Sequence, residues 1–215
     1  TADGQPHHVE HVLVMQDGVS ASMGGMPVAN LSGAEEPDDY GVKAINYKTD
    51  PLWGRRGGDA SAGFSERNEQ DYSEVLSSAP GLVTGTCAAG VQALPGRPGK
   101  LPCDPETPVF EARAGETLRL HFVHPGGHTR QQGLAVSGHA WDPLRATQPW
   151  PNGQALARSS NRGGVFNGFG PMMGVTLEMT AGGPCRVPSD YLIRSQASLL
   201  FDGGLWGILR VQPGQ

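Results

Sequence analysis

The stretch Asp190 to Val211 reads DYLIRSQASLLFDGGLWGILRV, and its texture decides the fold class. Two short apolar runs, DYLIRS and LWGILRV, read as strands, and Gly203-Gly204 between them reads as a turn. The stretch contains neither cysteine nor histidine.

Outward from it the same pattern recurs. PVFEA (Pro108 to Ala112) is followed by ARAGE and then TLRLHFV (Thr117 to Val123). The second run alternates, with Leu118, Leu120 and Phe122 on one face and Arg119 and His121 on the other. QGLAVSG and GVTLEMT add further runs between Gly/Pro turns. Several short strands with frequent turns predict an all-β sandwich or barrel. The first 105 residues differ. HVEHVLVM (His8 to Met15) reads as a short strand through Val9, Val12 and Val14. DDYGVKAINY (Asp38 to Tyr47) holds another apolar run. SERNEQDYSEVLSS (Ser65 to Ser78) is a short helix candidate with Ser65 as N-cap. The intervening Gly, Ser, Asp and Pro clusters read as loops.

Gly at 32 and Pro at 18 make almost a quarter of the 215 residues, a share that approaches disordered composition. The recurring apolar strands argue against disorder. A net charge of −5 with no cluster of Lys and Arg excludes a nucleic-acid footprint. No apolar run approaches the roughly 18 residues that span a bilayer. No signal peptide opens the chain, and Thr1 in place of methionine fits removal of a leader or of a larger precursor. Cys87 and Cys103 bracket the Gly/Pro-rich loop AAGVQALPGRPGKLP. A disulfide between them would remove loop entropy worth about 3 kcal/mol. It would favour an exported protein, whether periplasmic, extracellular or cell-surface. Three free thiols in a reducing compartment is the alternative. Cys185 is then buried, free, or the true partner of one of the others.

PVFEARAGETLRLHFVHPGG resembles the first strand pair of a cupredoxin domain. LAVSGHAW (Leu134 to Trp141) resembles the segment in which histidines alternate before a Gly-His pair. YLIRSQASLLFDGGLWGILRV resembles the terminal copper segment of bacterial multicopper oxidases, with Tyr191, Leu192, Gly204, Gly207 and Val211 in register without a gap. The resemblance covers Pro108 to Val211. It implies a cupredoxin-like Greek-key β-sandwich over residues 106–215, preceded by a loop-rich N-terminal extension over 1–105.

The resemblance also places the family's copper ligands. The first mononuclear His falls on Gln132, the Cys on Ser195, the second His on Leu200 and the axial position on Leu205. The four histidines lent to a three-copper cluster fall on Ala135, Ser137, Arg194 and Gln196. Thiolate and imidazole suit such copper; Ser, Leu and Gln do not, and Arg194 adds a fixed positive charge. The copper ligands are thus expected to be replaced.

Other chemistry is thin. His7, His8 and His11 in HHVEH, and His121, His124 and His128 in HFVHPGGH, are weak metal candidates. Solvent-exposed histidines near a terminus explain the first set. The second is explained by a strand's outer face (His121) and a turn (His124, His128). His139 belongs to the Gly-His pair and is expected to form structural hydrogen bonds. The acidic run GAEEPDDY lacks fixed Ca²⁺-ligand spacing. Met172 and Met173 read as gap-filling residues before Cu(I) ligands. GVSASMGG lacks the setting of a nucleophile elbow, and NRGGVFNGFGPMMG is not a phosphate loop.

The expectation is a domain without catalytic residues or cofactor, a structural, assembly or binding element of a larger exported protein or complex. Its partners are other chains or domains of the same parent. The alternatives are a copper oxidoreductase drawing ligands from the other histidines or another chain, and a small-molecule or metal-carrier binding protein.

Overall fold

In the computed structural model, residues 8–19, 22–23, 26–27, 42–52, 104–126, 131–142, 163–196 and 198–214 are described. The alternation in TLRLHFV is realised as strand β6 (Thr117–Val123), whose Leu118, Leu120 and Phe122 are fully buried. It pairs with β1 (His8–Asp17) on one side, in parallel, and with β9 (Gly174–Thr180) on the other, antiparallel. Short β4 (Lys43–Ile45) adds to the far end of β1, giving a first sheet of order β4-β1-β6-β9. The second sheet has the order β5-β11-β10-β7-β8, from β5 (Val109–Arg113), β7 (Gln132–Val136), β8 (Val165–Phe169), β10 (Ser189–Ser195) and β11 (Trp206–Gln212). A two-residue pair, β2 (Ser22–Met23) with β3 (Met26–Pro27), stands apart, and one five-residue helix, α1 (Ser198–Asp202), precedes β11.

The chain changes sheet between β5 and β6, β6 and β7, β8 and β9, and β9 and β10. That crossing makes a Greek-key sandwich, the expected all-β class. The β5–β6 crossover is a turn through Ala114, Gly115 and Glu116. Glu116 N–H donates to the Arg113 carbonyl at 3.0 Å, and the Glu116 carboxylate accepts from Arg113 N–H at 2.7 Å. The main core lies between the sheets, with Leu13, Met15, Leu118, Leu120, Phe122, Val175, Leu177 and Met179 from the first and Phe110, Leu134, Val136, Ile193, Leu209 and Val211 from the second.

Two of the strands come from the stretch assigned to the extension. β1 and β4 lie in the first sheet, and Leu13, Met15 and Ile45 sit in its core, so a boundary at residue 105 does not separate extension from sandwich. The physical reason is that β1, paired beside β6, turns Leu13 and Met15 into the core between the two sheets. His11 then closes one side of the sandwich. Its Nε2 is 2.8 Å from the Glu111 carbonyl on β5, and its ring packs on Phe110 at 5.2 Å. The helix candidate Ser65 to Ser78 and the Cys87–Cys103 pair lie outside the described residues, while Cys185 is an exposed free thiol.

β11 is buried on both faces. Leu209 and Val211 face the main core; Trp206 and Ile208 join Leu192, Phe201 and Leu52 in a second apolar cluster on the outer face. That cover comes from the segment after β4. Lys43 N–H donates to the Gly203 carbonyl at 2.7 Å, and Trp206 Nε1–H donates to the Asp50 carbonyl at 2.9 Å. Close approach demands the glycines here: a Cβ on Gly204, at φ +111°, would lie 2.6 Å from the Lys43 carbonyl oxygen, and one on Gly207 2.9 Å from that of Pro108.

Two charged groups are folded into this packing. Lys43 pairs with its cross-strand neighbour Asp17, both almost fully buried. On the outer face of the second sheet, Arg210 grips Asp104 through two bonds of 2.9 and 2.7 Å and Asp190 through two of 3.0 and 2.8 Å. The two carboxylates hold the guanidinium firmly protonated. Removing one partner of such a cluster strands the other charges in a dry site. Arg210→Ala is therefore expected to destabilise the protein by about 3–5 kcal/mol in urea unfolding. Arg210→Lys should fall between, because an ammonium cannot make both forked contacts. A wild-type midpoint for Arg210→Ala would contradict this account.

Candidate functional site

The end of the sandwich where β7, β10 and the α1 loop meet collects the residues singled out from the sequence. Ser195 closes β10 and lies opposite Leu134 of β7, two positions from Gln132. Its N–H donates to the Leu205 carbonyl at 3.0 Å, and Leu205 N–H donates to the Leu200 carbonyl at 3.0 Å. Gln196 N–H continues the ladder to the Gly133 carbonyl at 2.8 Å. The loop is thus folded back onto the strand end, and Gln132, Ser195, Leu200 and Leu205 are all buried there. The two leucines belong to the main apolar core. Gln132 Oε1 and Ser195 Oγ are buried with no hydrogen-bond partner.

Ala135, Ser137, Arg194 and Gln196 have the opposite parity and lie on the outer face of the second sheet. Ala135 is cross-strand from Arg194, which is cross-strand from Trp206. The Arg194 guanidinium stacks 5.0 Å from the Phe201 ring centroid, while Ser137 and Gln196 are exposed.

His124 departs from the turn position expected of it. It is only 1% exposed, because the β6–β9 ladder runs one residue further: His124 N–H donates to the Met173 carbonyl at 2.9 Å and its own carbonyl accepts from Met172 N–H at 2.8 Å. The parity that buries Leu120 and Phe122 then turns its ring inward. The ring nitrogens lie 3.4 Å from Gly126 N and 3.5 Å from Gln132 Nε2, so the imidazole borders the same buried end.

Of the remaining described histidines, His8 and His121 flank Glu10. His8 is exposed and its Nε2 is 3.2 Å from a Glu10 oxygen. His121 sits on the outer face, with Nδ1 2.9 Å from Thr176 Oγ1 and Nε2 3.8 Å from Glu10. Arg119 donates to the Glu10 oxygen that faces His8 at 3.0 Å, and this hydrogen bond lowers the carboxyl's pKa and puts positive charge where a cation would sit. His7 and His128 lie outside the described residues. Among the described residues no three His, Cys, Asp or Glu side chains are placed to hold a metal ion.

His139 forms the structural bonds expected of it. Its Nδ1–H donates to the Ser137 carbonyl at 2.8 Å, Nε2 accepts from Gly182 N–H at 3.1 Å, and Tyr191 packs edge-on at 4.6 Å. Both bonds together require the neutral ring. Sequence reasoning missed the inward turn of His124 and the Arg210 cluster. An arginine inside the otherwise apolar WGILRV was the available signal for the second.

No protein-family model matches the chain, and no curated protein matches it. Solved structures do. The chain is similar to Fet3p, a multicopper oxidase that functions in iron import, with TM-score 0.50 and 13% identity, over 97% of this chain and 32% of that one. It is also similar to the multicopper oxidase McoA of Aquifex aeolicus (TM-score 0.45, 15% identity, 99% of this chain and 30% of that one). A copper nitrite reductase from Nitrosomonas europaea is a third (0.46, 15%, 98% and 52%). The chain spans less than half the length of the multicopper oxidases it matches. At these identities the likeness concerns the fold, which is cupredoxin-like.

Burial lowers the His139 pKa from the usual 6.5, partly offset by the Ser137 carbonyl. The unfolded chain then takes up the proton before the folded one, so this stability is present above about pH 6.5 and lost as pH falls through the lower folded value. His139→Phe should lower stability by about 1–3 kcal/mol at pH 7.5. It should also flatten the decline between pH 7 and 5, measured by urea unfolding across that range. An unchanged slope would remove His139 from the account.

Proposed function

We propose that the chain is a non-catalytic cupredoxin-like module of a larger exported protein or complex, acting through its surface as a structural, assembly or binding element. The observation that carries this reading is the donor set at the buried sandwich end. Mononuclear copper in this fold takes a soft thiolate and neutral imidazoles. The side chains at the corresponding positions are the Gln132 amide, the Ser195 hydroxyl and the aliphatic Leu200 and Leu205, the last two packed as core. These residues do not fit copper. His124 borders the site, but among the described residues it belongs to no group of three or more His, Cys, Asp or Glu side chains placed to hold a metal ion.

The outer face around Ala135, Ser137, Arg194 and Gln196 is the docking surface in this reading. It corresponds to the ligand segments that, in the resembled oxidases, face a neighbouring domain. Arginine held over an aromatic ring is a common interface anchor. Trp141 does not contribute, since it is fully buried in the main core. Trp53 and Trp150 lie outside the described residues. No helix among the described residues is long and apolar enough to cross a membrane.

The purified chain is expected to retain no stoichiometric copper after dialysis and to show no oxidase turnover of phenols or metal ions. Ser195→Cys alone should give no blue absorption band on copper addition, because Gln132 and Leu200 still supply no imidazole. One bound copper per chain with turnover would instead establish the copper-oxidoreductase reading, with ligands from the other histidines or from another chain. Light scattering on material from the native source should find the chain in a complex heavier than its own 22.6 kDa. Arg194→Glu should release it from that complex. A solitary monomer that mild crosslinking leaves unchanged would defeat the docking role.

A further inference from the structure

We propose that the buried end of the sandwich between β7 and β10 is a closed site for one water molecule, held by the Ser195 hydroxyl and the Gln132 side-chain carbonyl. Both oxygens are buried and have no hydrogen-bond partner. Ser195 and Gln132 are 0% and 1% exposed, so bulk solvent cannot satisfy them. Their strands are neighbours and both side chains face the interior. Ser195 is directly opposite Leu134, which makes Gln132 its diagonal neighbour, about 7–8 Å away between Cα atoms. A water with a contact of about 2.8 Å on each side and a roughly tetrahedral angle bridges oxygens about 4.5 Å apart, within reach of a long glutamine and a short serine.

The chemistry of the walls selects the guest. A cation has no carboxylate or thiolate to neutralise it there, and an anion would meet the Gln132 carbonyl. An apolar guest would leave both oxygens stranded. Water can donate to Gln132 Oε1 and exchange a hydrogen bond with Ser195 Oγ. The third wall is polar too: His124, with ring nitrogens at 3.4 and 3.5 Å from their N–H neighbours, is held by bonds longer than the usual range. Buried waters make about three such contacts and occur where polar groups would otherwise go unpaired.

Two readouts test the site, and neither depends on copper content. A crystal structure resolving ordered solvent should show one water within about 3.2 Å of both Ser195 Oγ and Gln132 Oε1. Density for nothing, or for an ion, overturns the proposal. Ser195→Ala should lower Tm by about 2–6 °C, since the water loses a partner. A rise or no change, the result of deleting an orphan hydroxyl from a dry core, overturns it. Gln132→Met, which keeps the volume and removes the acceptor, gives the same sign test should the first variant fail to fold.

Discussion

Burial of β11 on both faces is the constraint from which the rest of the structure follows. A strand inside a two-layer sandwich ordinarily shows one face to solvent. Here the outward residues Trp206 and Ile208 are as buried as the inward Leu209 and Val211. Something must cover them, and β4 with the segment following it does so, anchored through Lys43, Asp50 and Leu52. The same burial decides the fate of Arg210. A guanidinium on that face has no water to rely on, so Asp104 and Asp190 must both reach it. Sheet, strap and ion cluster are therefore one arrangement, and the glycines at 204 and 207 are what let the backbones approach closely enough to form it.

At the neighbouring end, Gln132, Ser195, Leu200 and Leu205 are all buried where β7, β10 and the α1 loop meet. Two leucines extend the core. The serine and the glutamine each keep a buried polar oxygen without a hydrogen-bond partner. The scaffold and the chemistry are thus separable, since register and burial are properties of backbone pairing while reactivity rests with a few side chains.

Much of the architecture was legible because it rests on short-period patterns. The alternation of Leu118, Leu120 and Phe122 became a strand with the expected inward face, and the runs GVTLEMT and LWGILRV became strands. β8 escaped because its residues 165–169 sit in a Gly-rich stretch with no clear alternation, and it pairs with β7 through an irregular register. The membership of β1 and β4 in the sandwich was hidden for another reason. Their pattern announces a strand but not a partner, and the partner of β1 lies about a hundred residues on. Gln132, Ser195, Leu200 and Leu205, singled out by register, are all buried. The inward turn of His124 was not legible, since a histidine before Pro-Gly-Gly reads as turn until the β9 ladder is seen to extend past it.

The parallel pairing of β1 with β6 has a consequence for how the chain comes to be folded. Contacts such as Glu10 with Arg119 close a loop of 109 residues, so the first sheet is assembled from pieces that are remote in sequence. Non-local pairing of this kind forms slowly, because the entropy of closure is lost before the contact is made. During synthesis at about 5–20 residues per second, β1 waits roughly 5–20 s for its neighbour to be made. Over that interval Leu13 and Met15, core residues in the finished sandwich, have only the short β4 beside their strand. Polar His8, Glu10 and His11 interrupt the apolar residues of this waiting strand, and Glu10 meets Arg119 only when β6 arrives.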